Sequence, residues 1–126
     1  MPIESLDHVN IRTDRLDAMV DWYTTVLGLR SGKRPDFGFP GAWLYAGDRA
    51  VVHMIGVGDE AGAGSETALK LEHFAFAARD RAAFEALLEE RGERYRRSEV
   101  AEAGIVQVNI WDPDGNHIHV DFPKEE

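Results

Sequence analysis

The sequence predicts an α+β domain of two tandem βαβββ modules, their strands forming a cupped mixed sheet with the helices on its outer face. Three observations predict this. Short runs alternate apolar and polar residues with period two, the mark of half-buried strands. Two stretches carry apolar residues at helical spacing. The order strand–helix–strand–strand–strand occurs twice, with matching residues about 65 positions apart.

The first strand starts at Leu6, where Val9 and Ile11 alternate with His8, Asn10 and Arg12. Asp14 offers a side-chain oxygen as helix N-cap. Leu16, Met19, Val20, Tyr23, Val26 and Leu27 form the stripe of the first helix, and Gly28 ends it. A second strand runs from Leu29 to Arg34. Pro35, Gly38, Pro40 and Gly41 mark a loop. Ala42–Ala46 and Ala50–Ile55 read as strands joined by a turn at Gly47-Asp48. A weakly hydrophobic stretch, about 57–68, reads as a linker between module one (about 5–57) and module two (about 70–122) of a single domain spanning 1–126.

The pattern then repeats. Leu71–Ala78 is a strand, Asp80 caps a helix with the stripe Ala83, Phe84, Leu87 and Leu88, and Gly92 ends it. Arg94–Ser98, Gly104–Trp111 and His117–Phe122 are the remaining strands. The last two flank Asp112-Pro113-Asp114-Gly115-Asn116, a hairpin turn. Lys124–Glu126 is expected to fray.

Composition bounds the partners. The 126 residues are 44% hydrophobic and 29% charged, an ordinary globular mix. Cysteine is absent, which excludes disulfides, thiolate nucleophiles and cysteine-ligated metals. The net charge of −9, from 23 acidic and 14 basic residues, is the wrong sign for a nucleic-acid partner. No apolar run suits a membrane span and no leader pattern stands at the N-terminus, so the expected location is cytoplasmic.

Four of the five histidines occupy two repeat-related positions: His8 with His73, a shift of 65, and His53 with His119, a shift of 66. Strand alternation puts i and i+2 on one face. The face meeting the helices is apolar: Val9, Ile11, Val52, Met54, Phe74, Phe76, Ile118, Val120 and Phe122. The opposite face carries the four histidines with Asn10, Trp43, Tyr45, Gln107, Asn109, Trp111 and Asp121. A curved sheet gathers these into a pocket of the kind that takes small molecules. Neutral imidazoles suit a divalent metal, here zinc, iron, nickel or manganese. The alternative is that duplication copied two structural histidines. The three aromatic residues are either pocket contacts or ordinary packing. His117, at the turn edge, reads as exposed or as a neighbour of the ligands, and Asp7 and Glu72 read as solvated or capping.

The segments LDHVNIRT, WYTTVLGL, AVVHMI, LEHFAFAA and above all DPDGNHIHV give the chain a specific likeness over roughly residues 5–122. It resembles the vicinal oxygen chelate superfamily of glyoxalases, bleomycin-resistance proteins, fosfomycin-resistance thiol transferases and extradiol dioxygenases. The resemblance implies paired βαβββ modules and a homodimer. Carried across, the family's metal ligands fall on His8, His53, His73 and His119. The last stands where DPDGNxIE normally supplies a glutamate, so this set contains no anionic ligand and favours an anionic substrate. Asp121 is then the candidate for the missing proton-transfer base, or else a rim acid.

The resemblance implies a metal-dependent enzyme that chelates vicinal oxygens of a small substrate and stabilises an enediolate-like anion. Its chemistry would be that of a lyase or isomerase, or oxygenation if the metal is iron. The alternative is a non-catalytic sequestering protein of the bleomycin-resistance type, with substrate-binding positions at Asn10, Trp43, Tyr45, Gln107, Asn109 and Trp111. No pattern marks a glutathione site: Arg94, Arg96 and Arg97 read as a solvated charge run.

Overall fold

The computed structural model describes residues 4–58 and 71–126. Apart from Val57 and Gly58, the predicted linker lies outside them. The chain divides into two compact units, Met1–Thr67 and Ala68–Glu126. Each is a βαβββ module, as the repeated sequence pattern requires.

In the first unit the order is β1 (Val9–Thr13), α1 (Leu16–Thr25), β2 (Arg30–Gly32), β3 (Gly41–Ala46) and β4 (Arg49–Gly56). Its four strands form one mixed sheet in the order β1-β4-β3-β2, with β1 parallel to β4 and the other pairs antiparallel. Met19, Trp22, Tyr23, Val26 and Leu29 are buried with Leu44, Val52 and Met54 from the sheet. The helical stripe is thus shifted from the expected one. Trp22 is buried while Leu16, Val20 and Leu27 are only half-buried, because the largest side chain covers the sheet best. The N-cap position is Arg15, not Asp14, and no side chain caps it. The Thr13 hydroxyl instead accepts the Arg15 N–H at 3.0 Å. Gly28, at φ +70°, lets Leu29 N–H reach back to Tyr23 O and close the helix.

The second unit runs β5 (Phe74–Ala77), α2 (Arg81–Arg91), β6 (Arg96–Val100), a single 3-10 turn (Ala101–Ala103), β7 (Ile105–Trp111) and β8 (His117–Pro123). Its sheet order, β5-β8-β7-β6, repeats the first, again with one parallel pair, β5 with β8. Leu88 is buried with Val106, Val108, Ile110, Ile118, Val120 and Phe122, and the Phe84 ring lies 5.6 Å from that of Phe122.

Polar residues depart from expectation on α2. Ala83 is exposed and Glu85 is buried, paired with Arg81 one turn back and with Arg97 at 3.1 Å. Arg97 is therefore not part of a merely solvated run. Nor is the tail frayed: the Glu126 carboxylate accepts the backbone N–H groups of Asp80 and Arg81 at the start of α2. The unsatisfied amides and partial positive charge of a helix N-terminus explain why an acidic residue docks there. Among the described residues, no helix is long and apolar enough to cross a membrane.

Candidate functional site

Pairing register sets the positions of the histidines in each unit. In the first, Asn10 lies opposite His53, and Trp43 flanks His53 on its other side. His8, two residues before Asn10, falls diagonally from His53. The two imidazoles stack with centroids 3.8 Å apart and planes 12° apart. The Trp43 indole stacks on His53 at 4.1 Å and 11°. The His53 ring is thus covered by His8 and Trp43. Burial, then the nearby His8, holds its pKa below the ordinary histidine value, which favours the neutral ring. Tyr45 belongs less to this cluster. Its hydroxyl donates to Lys33 O, and the Arg30 guanidinium sits 4.9 Å from its ring centroid.

The second unit repeats the arrangement and adds to it. Ala75 lies opposite His119, and His73 falls diagonally, its ring 4.3 Å from that of His119. On β7, Gln107, Asn109 and Trp111 stand opposite Asp121, His119 and His117. Asn109 and His119 are buried. Gln107 accepts a hydrogen bond from Ser98, and Asn109 Nδ2 donates to Arg96 O and Ser98 Oγ. That fixes Asn109 Oδ1 as an acceptor, which lies 2.9 Å from His117 Nε2. The other nitrogen of His117 lies 2.9 Å from the Glu72 carboxylate. Trp111 stacks on His117, and the Arg94 guanidinium lies 4.0 Å from the indole centroid.

Three of the four repeat-related histidines carry a carboxylate on Nδ1. Asp7 bonds His8 Nδ1 at 2.7 Å, Glu72 bonds His73 Nδ1, and Asp121 bonds His119 Nδ1 at 2.6 Å. His53 instead donates from Nε2 to Ala50 O at 3.1 Å. The bonds from His8 hold Asp7, and those from His73 and His117 hold Glu72, below the usual carboxylate range. Glu72, His73 and His117 also form a cluster whose ligand atoms lie within 4.8 Å of one another.

The structure therefore brings His8 to His53 and His73 to His119, with Asn10, Trp43, Gln107, Asn109, Trp111 and Asp121 on the same faces of their sheets. Asp7 and Glu72 are exposed, but strand parity put them on the side away from the histidines, whereas each bonds the histidine that follows it. Regular strand begins only at Val9 and Phe74, so alternation does not govern the acid–histidine dipeptides just before them. The signal that finds them is the duplicated dipeptide itself, Asp7-His8 and Glu72-His73. His117 is the first residue of β8, inside the hairpin register and opposite Trp111. Its side chain is only 17% exposed.

Similarity to known proteins agrees with this architecture. The family model of the Glyoxalase/Bleomycin resistance protein/Dioxygenase superfamily matches residues 5–120. The protein "Glyoxylase I 4" of Arabidopsis thaliana is 32% identical over 123 residues, covering 94% of this chain and 70% of that one. Two solved structures share the fold. A glyoxalase/dioxygenase from Nostoc punctiforme superposes with a TM-score of 0.77 at 18% identity, covering 94% of this chain and 90% of that one. A lactoylglutathione lyase from Agrobacterium tumefaciens superposes with 0.70 at 20%, covering 97% and 96%. The family match over nearly the whole chain places this protein in the Glyoxalase/Bleomycin resistance protein/Dioxygenase superfamily, the vicinal oxygen chelate proteins.

Proposed function

We propose that this protein is a metal-dependent enzyme of the glyoxalase type, with His8, His53, His73 and His119 as the ligands of a divalent ion and a small anionic molecule as substrate. The observation that carries the reading is the donor set. Each of the four rings has one nitrogen engaged by a carboxylate or a backbone carbonyl, which leaves the other as the donor atom. Metal-ligating histidines are held in this way almost without exception, since the engaged nitrogen fixes tautomer and ring orientation. The residues therefore fit a metal such as zinc, iron, nickel or manganese. When bound, such an ion supplies a Lewis acid that polarises substrate oxygens and acidifies a neighbouring C–H or O–H.

The chain's own groups supply the rest. Burial lowers the pKa of His53, which favours the neutral ring that ligation needs. Asp121 gives one carboxylate oxygen to His119, and its other oxygen is the candidate proton acceptor for lyase or isomerase chemistry. Asn10, Gln107, Asn109 and the Trp43 and Trp111 indoles are the candidate substrate contacts, with Tyr45 at their edge. The sequestering alternative needs open aromatic faces. Trp43 is covered by His53, and Trp111 lies beneath Arg94 and beside His117, which favours the metal reading. The homodimer implied by the resemblance and the cytoplasmic location expected from the sequence belong to the same proposal.

Metal analysis of protein purified without chelator, followed by loading with zinc, nickel, manganese or ferrous iron, tests it. Uptake of about one ion per chain, lost in His73→Ala, is expected. Absence of uptake overturns the proposal. Ligand-dependent tryptophan fluorescence that survives His73→Ala would favour sequestration.

A further inference from the structure

We infer that Asp7, Glu72 and Asp121 are positioning residues that lock His8, His73 and His119 in the Nδ1–H tautomer, present Nε2 as the donor atom, and supply the negative charge that a set of neutral imidazoles lacks. The inference rests on the metal reading above and deepens it.

Three independent contacts carry it. The Asp7 and Asp121 carboxylates meet their rings at 2.7 and 2.6 Å, and Glu72 meets His73 closely. All three touch Nδ1. A carboxylate is acceptor-only, so the proton between each pair sits on the ring nitrogen, and a neutral ring then exposes a lone pair at Nε2. The free side chain has no such constraint. The contacts also recur by design of the chain. Asp7-His8 and Glu72-His73 are equivalent dipeptides, and in both the acid binds the histidine that follows it. Asp121 reaches His119 differently, as its i+2 neighbour on the same face of β8.

Charge gives a second reason. Four imidazoles and a divalent ion would leave two positive charges with nothing to offset them. Three carboxylates, each one hydrogen bond behind a ring, would offset part of that charge through the ring each one holds, while leaving the coordination positions to imidazole and substrate. They also raise the basicity of the ring nitrogen that binds. Glu72 has a further partner in His117, which holds the carboxylate from its other oxygen and keeps it beside His73.

A competing assignment makes Glu72 itself a ligand, with His73 and His117. There the Glu72 carboxylate would hold the ion itself, so the two assignments differ in how far Glu72→Gln recovers zinc binding.

The test uses the full chain. Long-range 1H–15N spectra of metal-free protein, at a pH where the rings are neutral, should show the Nδ1–H tautomer for His8, His73 and His119, and the Nε2–H tautomer for His53. Asp7→Ala, Glu72→Ala and Asp121→Ala should each release the matching ring to the mixture of a free side chain. Each should weaken binding of zinc, read by competition with a chromophoric chelator, by about 10–100-fold. Glu72→Gln, which keeps an acceptor but no charge, should recover part of that loss. Thermal melts of every variant separate these effects from unfolding. Rings that stay in mixed tautomers in the wild type, or alanine variants that bind zinc as tightly as wild type, overturn the inference. Glu72→Gln losing zinc as fully as Glu72→Ala also overturns it, since that marks Glu72 as a ligand. A wild-type chain that takes up no metal sinks the metal reading, and the tautomer spectra then still decide whether the carboxylates set the rings.

Discussion

Replacing Asp112 with alanine tests how much of the second unit depends on one turn. Asp112 is only 5% exposed, and its carboxylate organises the loop between β7 and β8. Oδ1 accepts the N–H groups of Asp114 at 3.0 Å and Asn116 at 2.8 Å, and Oδ2 accepts the Asn116 side-chain amide at 2.8 Å. Hydrogen bonds to a charged group contribute about 1.5–3 kcal/mol each, so three would sum to roughly 5–9 kcal/mol. Asp114 and Asn116 are half-exposed, however, and in the variant their freed donors reach water. That reduces the expected loss to about 2–4 kcal/mol. Asparagine keeps Oδ1 for the two backbone donors but turns an N–H group toward the Asn116 amide, so Asp112→Asn should cost about 1–2 kcal/mol. Urea denaturation reads both values as midpoint shifts at constant slope. The loop also sets the register that puts Asn109 opposite His119 and Trp111 opposite His117, and a one-residue slip would turn every side chain to the other face. A loss within about 0.5 kcal/mol for the alanine variant, the range of an unconnected surface position, would refute the reasoning. So would an asparagine variant as unstable as the alanine one.

Three further outcomes follow from contacts away from the histidines. The Glu126 carboxylate is held below the usual range by the Arg81 and Asp80 backbone N–H groups, so its stabilising effect is present above the unfolded-state pKa and disappears as pH falls through the lower folded value. The melting temperature of Glu126→Gln should lie below wild type at neutral pH and converge with it in acid, and a gap that does not close in acid contradicts the assignment. Glu85 is buried between Arg81 and Arg97, whose own side chains are 31% and 58% exposed. Removing both arginines strands a buried carboxylate and should cost about 3–5 kcal/mol, more than Glu85→Ala, which frees two groups that can reach water; the reverse order in denaturant titrations would be contrary. A Cβ at Gly41 would stand 2.5 Å from Met54 O and 2.7 Å from the Arg34 guanidinium, so Gly41→Ala should lose about 1–3 kcal/mol by overpacking against β4, and an unchanged urea midpoint would count against that close approach.

The fold was legible because it is written twice. Two amphipathic stripes and alternating runs, repeated at one spacing, leave little choice of topology once the Asp112–Asn116 turn fixes one hairpin. That His53 and His119 lie on the face away from the helices was equally legible, since period two fixes the side a strand residue takes; the pairing register that sets His8 and His73 diagonal to them was not. What escaped lies where these periodicities stop. Asp7 and Glu72 precede regular strand, so alternation assigned them to the wrong side. Asp14 looks like a cap, but the chain turns one residue later and Thr13 supplies the oxygen. Glu126 carries no local pattern at all; its partners, Asp80 and Arg81, are more than 40 positions away, and only the three-dimensional approach reveals the helix end it meets.

The two copies are alike in backbone pairing and unlike in charge. In both, a histidine one residue before the edge strand stacks or tilts against a histidine on the neighbouring strand. In the first copy the central ring, His53, is anchored by the Ala50 carbonyl and packed against Trp43, and burial lowers its pKa. In the second the equivalent ring, His119, is anchored by Asp121, and Asn109 stands where Trp43 stood. One copy thus presents aromatic surface and a single carboxylate, Asp7. The other presents two carboxylates, Glu72 and Asp121, and an ordered amide. Positions 43 and 109, and the anchors of His53 and His119, are where the two copies diverge in what they set beside the central ring.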